Sequence, residues 1–239
     1  MRHPRWMVPA CALALSCASS PKQVQKVDDS GLARLDESQM QPVDDARVEH
    51  GRAQDALART RASEADAQAR LEVAKTERAV ADAQLKRALA ERDLLKKQYA
   101  PPDQLATADE AVRSSQDRIR AADLKRAYLE RMVQVAQADR NAAAAHVDTA
   151  AAMVEQAKLR AMKAAEVPQA RSANAGAIDS RLAESQLREA QLRKQAADLR
   201  AGAVDAYNRW QQTDTRVRTL ARPETTIPVP PPTGPEPSR

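Results

Sequence analysis

Apolar residues recur along most of this chain at alternating steps of four and three, which is the spacing of a coiled-coil seam. The pattern is clearest in residues 103–166, and it is present in 43–100 and 169–221. An interior proline would remove a backbone hydrogen bond and clash with the preceding turn. Because none of these segments contains proline, the sequence predicts three uninterrupted helices. Their seven-residue period predicts a left-handed supercoil.

The predicted joints between these helices, Ala100-Pro101-Pro102 and Val167-Pro168, are short, and short joints place consecutive helices antiparallel. The predicted fold class is therefore all-α, a long antiparallel up-down-up three-helix coiled coil. Helix one also carries a second row of apolar residues, so we expect it to touch two neighbours and a homo-oligomer to cover leftover surface. That row consists of Ala58, Ala62, Ala65, Ala69, Val80, Ala83, Ala90 and Leu94.

Three aromatic residues converge when the chain is folded at its two joints. The resulting register sets Tyr128 of helix two level with Tyr207 of helix three, close to Trp210. Helix one offers Ala74 and Lys75 at that level. Bulky and small side chains are therefore expected to interdigitate there.

Charged residues interrupt the predicted seam. The same register places Arg140 beside Glu64, and it places Arg126 beside Arg78 and the Trp210 ring. A polar seam residue lowers stability but fixes register, and an arginine over tryptophan adds about 0.5–2 kcal/mol. We interpret these residues as structural; the alternative is a buried functional charge site.

The composition argues against a compact enzyme. Only 2% of the 239 residues are aromatic and none is phenylalanine, whereas 38 basic and 33 acidic residues give a formal net charge of +5. The two signs interleave as they do on a solvated helical face. With so few aromatic rings for base stacking and so small a charge excess, a nucleic-acid partner is not expected.

No catalytic residue, metal ligand or cofactor is predicted. The sequence contains no glycine-rich phosphate loop, no Gly-x-Ser-x-Gly and no His-Glu-x-x-His. Beyond the first few residues its histidines are His50 and His146, which the register separates by about 10 Å of helix. That distance is too long for shared metal ligation, so we interpret both as solvated helix residues.

The first seventeen residues have the pattern of an export signal. Arg2 and Arg5 precede an apolar stretch that is shorter than the roughly 20 residues needed to cross a bilayer. Ala14-Leu15-Ser16-Cys17 resembles the lipobox of bacterial lipoproteins. That resemblance implies removal of residues 1–16 and lipidation of Cys17. The alternative is an ordinary secretory signal, with Cys17 in or near the cleaved piece.

Lipidation at Cys17 implies a membrane as one partner. The resemblance implies a diacylglyceryl thioether and an amide-linked acyl chain, and two or more chains give stable anchoring. Ala18 after the cysteine implies sorting to the outer membrane, with the protein facing the periplasm. The other cysteine, Cys11, also lies in the signal region, so no disulfide framework is expected in the remaining chain.

Two segments flanking the helices lack a seam. Residues 17–42 are predicted to form a flexible, disordered tether with a reach of roughly 25–30 Å. Residues 222–239 are rich in proline, which predicts a disordered tail favouring polyproline II. We interpret this tail as solvated; the alternative is a ligand for a groove-bearing partner or for the cell wall.

A family resemblance centres on the first joint. Tyr99-Ala100-Pro101, followed by Leu105 and Ala108, resembles an alanine-rich envelope lipoprotein family, the domain of unknown function 4398 family. The resemblance covers roughly residues 50–165. It implies an outer-membrane lipoprotein with an alanine-rich coiled coil, and it carries over no catalytic residue.

These features together favour a lipid-anchored, periplasm-facing coiled-coil protein of the cell envelope. We expect it to serve as a structural spacer, a scaffold or a protein-interaction module whose partner is an envelope protein or peptidoglycan. The alternative is an accessory component of an efflux or secretion complex, because long helical hairpins with alanine-rich seams also resemble periplasmic adaptors.

Overall fold

Three long helices make up most of the described chain. A computed structural model describes residues 26–220, in which every regular element is helical. The α-helices are α1 (Glu37–Lys97), α2 (Pro102–Ala164) and α3 (Ala175–Leu220), and two 3₁₀ helices are η1 (Asp29–Arg34) and η2 (Pro168–Arg171). The predicted all-helical, coiled-coil-like fold is confirmed.

Helix α2 is the central element, because it packs against both α1 and α3, whereas α1 and α3 hardly touch each other within the described residues. On the α1 side, Lys125 pairs with Glu77 at 2.5 Å and Arg118 donates to Gln84 at 3.4 Å. On the other side, Arg200 of α3 pairs with Asp139 at 2.5 Å. The buried residues of α2 accordingly lie on more than one face. The face of α1 that points away from α2 has no neighbour among the described helices.

The seam of α1 is lined mainly by alanine. Ala67, Ala74 and Ala81 are buried at seven-residue intervals, and Ala53 is buried on the same repeat. Each methyl group contributes only about 0.8 kcal/mol on burial, but a small side chain allows two helices to approach closely. The stability of this pairing therefore accumulates along the length of the helices.

The first joint begins with a hydrogen-bonded cap at the end of α1. Tyr99 adopts a φ of 53°, in the left-handed region, and its N–H donates to the carbonyl of Lys96 at 3.3 Å. The N–H of Ala100 donates to the carbonyl of Leu95 at 3.0 Å. This is the Schellman arrangement, in which glycine usually takes the left-handed position. Pro101 follows and prevents the helix from continuing.

The second joint repeats this construction. Glu166 adopts a φ of 54°, and the N–H of Val167 donates to the carbonyl of Met162 at 2.9 Å before Pro168 follows. A left-handed conformation costs a residue with a side chain roughly 1–2 kcal/mol. These two caps explain why α1 and α2 end at Lys97 and Ala164, before the predicted ends at residues 100 and 166.

The predicted tether, residues 17–42, is wrong from residue 26 onward. Helix α1 begins at Glu37 because Asp36 and Gln39 form a capping box: Asp36 accepts from the Gln39 N–H at 2.8 Å, and Gln39 accepts from the Asp36 N–H at 3.1 Å. Pro42 lies inside the helix. As the sixth residue of the helix, Pro42 costs the hydrogen bond to the Ser38 carbonyl, but the helix continues through it, so it does not mark the boundary.

The predicted start of helix three at residue 169 is also wrong. Pro168 begins η2 instead, and α3 starts only at Ala175, where the Asn174 side chain accepts from the Ala177 N–H at 3.0 Å. At the start of α2, Pro101 occupies the N-cap and Asp103 lies in the first turn.

A hydrophobic cluster closes the end of the helices where α2 finishes and α3 begins. It contains residues from the N-terminal segment, α2, the second joint and α3, namely Val27, Leu32, Leu159, Met162, Val167, Ala170 and Ile178. Met162 is fully buried, and a Cβ added at Gly31 would lie 2.5 Å from its Cε. The N-terminal segment is therefore packed onto this end.

Several predicted features lie outside the described residues. These are the signal segment 1–16, Cys17, the first part of the tether and the proline-rich tail 222–239. Within residues 26–220, no helix combines the length and the apolar character needed to cross a bilayer.

Two methionines on α2 test the role of this cluster. We expect Met162→Ala to lower the free energy of unfolding by about 2–5 kcal/mol, because it leaves a cavity at a fully buried site. Met153→Ala is the matched control, since Met153 is 38% exposed and should change stability by less than about 0.5 kcal/mol. Urea unfolding followed by circular dichroism measures both, and equal losses would contradict the packing described.

Candidate functional site

Tyr128, Tyr207 and Trp210 form one aromatic cluster between α2 and α3. The Tyr128 and Trp210 rings stack with centroids 5.8 Å apart and planes 5° apart. Tyr207 meets both rings edge-on, at 5.3 Å from Tyr128 and 5.7 Å from Trp210. Ala74 of α1 and Leu129 are buried in the same cluster. The register drawn from the sequence thus places these rings at the right level.

Tyr128 is the most enclosed member of this cluster, with 1% of its surface exposed. Burial raises the pKa of the Tyr128 hydroxyl to about 12, and the neighbouring Tyr207 adds to the shift. The neutral phenol is therefore the form that the folded protein favours. The cluster joins all three helices, because Ala74 leaves room on α1 for a bulky ring on α2.

Glu64 and Arg140 meet across α1 and α2. Their closest oxygen and nitrogen lie 3.0 Å apart, and Glu64 also accepts from the Gln68 amide at 3.3 Å. Glu64 is 9% exposed, so its carboxylate depends on these donors. The Arg140 side chain is 40% exposed and that of Glu64 12%, so the carboxylate is the enclosed partner. Losing Arg140 would leave this carboxylate with Gln68 alone, which favours the observed register.

Arg78 and Arg126 are placed differently from the sequence-based expectation. Arg78 reaches across to Asp123 of α2 at 3.3 Å, and Arg126 lies 3.5 Å from Glu130 on its own helix. The ring partners that the structure gives Trp210 are Tyr128 and Tyr207. The expected stacking of Arg126 on Trp210 is therefore corrected: the two tyrosine rings pack on Trp210, and Arg126 lies beside Glu130.

The interpretation of His146 as a solvated helix residue is wrong, because its side chain is only 28% exposed and lies between the outer helices. Its Nδ1 lies 3.1 Å from Glu189 of α3, and its Nε2 lies 3.7 Å from Glu49 of α1. The His146 ring thus lies between carboxylates of both outer helices. The signal was present, because the register that pairs Tyr128 with Tyr207 also pairs position 146 with 189. His50, by contrast, lies on the surface beside Gln54.

A second set of charges fixes the N-terminal segment to α2. The Val27 N–H donates to Glu155 at 2.7 Å, and Lys158 pairs with Asp29 at 2.7 Å and with Glu155 at 3.1 Å. Burial disfavours the charged amine, but the hydrogen bonds and charges of Asp29 and Glu155 outweigh it, so the pKa of Lys158 is raised. The segment is therefore held by polar contacts as well as by the hydrophobic cluster.

The opposite end of α1 and α2 presents exposed apolar side chains. Tyr99 is 94% exposed at the first joint, and Leu94 is 54% exposed one turn earlier. A left-handed φ at a non-glycine residue is a strained conformation, which in proteins often accompanies an interaction site. The joint presents the Tyr99 ring to solvent.

The stability of the aromatic cluster should depend on alkaline pH. Because the pKa of Tyr128 rises from 10.0 to about 12 on folding, its contribution is complete below pH 10 and is lost as the pH rises toward 12. We expect the free energy of unfolding to fall by about 1.4 kcal/mol per pH unit in that interval from this group. Urea unfolding at a series of pH values measures this slope.

Two phenylalanine variants separate Tyr128 from the other titrating groups. Tyr128→Phe should make the alkaline slope shallower than in the parent chain. Tyr99→Phe is the matched control, since Tyr99 is almost fully exposed, and it should leave the slope unchanged. Identical slopes in all three chains would contradict the assignment.

These residues form an interhelical site, in which stacked aromatic rings and ion pairs hold α1 and α3 against α2. Among residues 26–220, no group of histidine, cysteine, aspartate and glutamate side chains is arranged to hold a metal ion.

Comparison of the chain with protein-family models, curated proteins and solved structures finds no match.

Proposed function

We propose that this protein is a lipid-anchored, periplasm-facing lipoprotein of the outer membrane that serves as a spacer, scaffold or interaction module of the cell envelope. The lipobox resemblance at Cys17 motivates the anchor. The observation that carries the proposal is the docking of residues 26–36 at one end of the helices. If the anchored N-terminal segment joins the three helices at one end, the opposite end of the helices would be held away from the membrane.

The polar contacts of Val27 and Lys158 support this geometry. They fix the N-terminal segment beside the end of α2, and eight residues separate Cys17 from Lys26 in the sequence. An anchor at Cys17 would therefore hold this end of the rod close to the lipid surface. The far end, at Tyr99, would lie roughly 90 Å away at 1.5 Å per residue along α2.

We also propose that the three helices form an antiparallel, up-down-up coiled coil that acts as one rod. The residue pairs support it: Glu77 contacts Lys125 and Glu64 contacts Arg140, so the position in α1 falls as the position in α2 rises. His146, which lies between glutamates of α1 and α3, would tie the three helices together. A rod of this kind suits mechanical or adhesive work.

Metabolic labelling tests the anchor. We expect radioactive palmitate to enter the full chain, and Cys17→Ala to abolish labelling and release the protein from membranes, because two or more acyl chains are needed for stable binding. Cys11→Ala is the matched control and should keep both properties. Labelling that persists in Cys17→Ala, or an unlabelled parent chain, would refute the anchor.

The exposed first joint favours a second candidate function, an accessory role in an efflux or secretion complex. Tyr99 is 94% exposed in a left-handed conformation at the tip of the α1 and α2 pair, where a partner could bind end-on. Neither the spacer nor the scaffold role requires an exposed ring at this point.

Photo-crosslinking from the tip distinguishes the two candidates. A photoreactive phenylalanine in place of Tyr99 should capture peptidoglycan or a second copy if the protein is a scaffold. It should capture pump or channel subunits if the protein is an accessory component. The same group in place of Leu187, which is 61% exposed on α3, controls for random capture. Equal capture from both positions would exclude a specific tip contact.

A further inference from the structure

The outer face of α1 carries a heptad row that shares six residues with the second apolar row described above and that no described helix covers. We define the outer row as Ala62, Ala69, Val73, Thr76, Val80, Ala83, Arg87, Ala90 and Leu94. All nine are exposed; Val73, Val80 and Leu94 are 58%, 52% and 54% exposed. From Ala69 to Leu94 the row keeps the alternating steps of four and three without a break. That length exceeds three heptads, which is enough for coiled-coil pairing.

Large and small side chains alternate along the outer row. The large positions are Val73, Val80, Arg87 and Leu94, at seven-residue intervals, and the positions between them are alanine or threonine. In a parallel pair of identical helices, like positions meet, so Arg87 would face Arg87 and alanine would face alanine. In an antiparallel pair, each large position meets a small one. The outer row is therefore complementary in side-chain size to the outer row of a second copy that runs in the opposite direction.

Charges beside the row select one antiparallel register. When Val80 faces Thr76 of the other copy, Arg87 faces Ala69, and Glu72 comes beside Lys86. Glu72 and Lys86 now pair within α1, with Lys75 and Asp82 at 2.7 Å each. Both side chains are largely exposed, at 68% and 76%, so exchanging these partners costs little.

The like charges in this register are already compensated. Glu77 would face its own copy near the two-fold axis, but it pairs with Lys125 of α2 at 2.5 Å. Sliding the register by one heptad, so that Val80 faces Ala83, would instead bring Glu72 beside Asp93 of the other copy. That shifted register would also bring Arg70 beside Glu91, so its attractive and repulsive contacts cancel. The pairing of Val80 with Thr76 keeps the attraction of Glu72 for Lys86 and is therefore favoured.

We propose that the outer row of α1 is the interface of an antiparallel homodimer, in which Val80 of each copy packs against Thr76 of the other. The contact is isologous, because the same row serves both copies and a two-fold axis relates them. It gives α1 the second neighbour that its two apolar faces require. The interface uses no residue of the predicted anchor, so it does not depend on lipidation.

Disulfide trapping tests the interface and its direction. The full chain carrying Cys11→Ser and Cys17→Ser provides a background without thiols, in which Val80→Cys and Thr76→Cys are made singly, one with a size tag. The antiparallel dimer predicts a mixed disulfide when the two proteins are combined and oxidised. It predicts no disulfide in Val80→Cys alone. The two cysteines would be offset by about 6 Å along the helix axis in addition to the distance between the helices, which is too far for a disulfide.

Sedimentation measures the association itself. The thiol-free chain should have twice the monomer mass, and Val80→Glu should raise the dissociation constant at least about tenfold, since it places a charge in the interface. Leu187→Glu on α3 should leave the mass unchanged, and circular dichroism should show equal helix content in all three. A monomeric parent chain, an efficient Val80→Cys self-disulfide, or equal effects of the two glutamates would overturn the proposal.

Discussion

The close approach of α2 to its two neighbours is the constraint on which the rest of the structure depends. Alanine lines the seam of α1, so the helices can pack only if they remain close and straight over many turns. Each buried methyl contributes little. Length and accurate register replace the large side chains that stabilise a compact core, and features that fix register matter more here than the volume of any one residue.

The aromatic cluster and the enclosed ion pairs supply that register. Ala74 leaves room beside Tyr128, whose ring stacks on Trp210, so a shift by one turn would set bulky side chains against one another. Arg140 and Glu64 act in the same way, because a slip would leave the enclosed carboxylate without its partner. Both features explain how three helices with alanine-rich seams adopt one alignment.

The two ends of the molecule have different chemistry. At one end, Lys158, Glu155 and the Val27 N–H tie the N-terminal segment into a hydrophobic cluster. At the other, Tyr99 is held outward by a helix cap with a left-handed residue. The first end is therefore covered by the protein's own chain, whereas the second end exposes an aromatic ring to solvent.

The sequence by itself determined the three helices, their seams and the level at which Tyr128, Tyr207 and Trp210 meet, because these follow from periodicity and from the positions of the prolines. Only the tertiary structure decided that residues 26–35 pack against the helices, because their burial depends on Met162, which is distant in sequence. It also decided the partners of Arg78 and Arg126. Long side chains choose among several charges within reach, and a register alone cannot rank those choices.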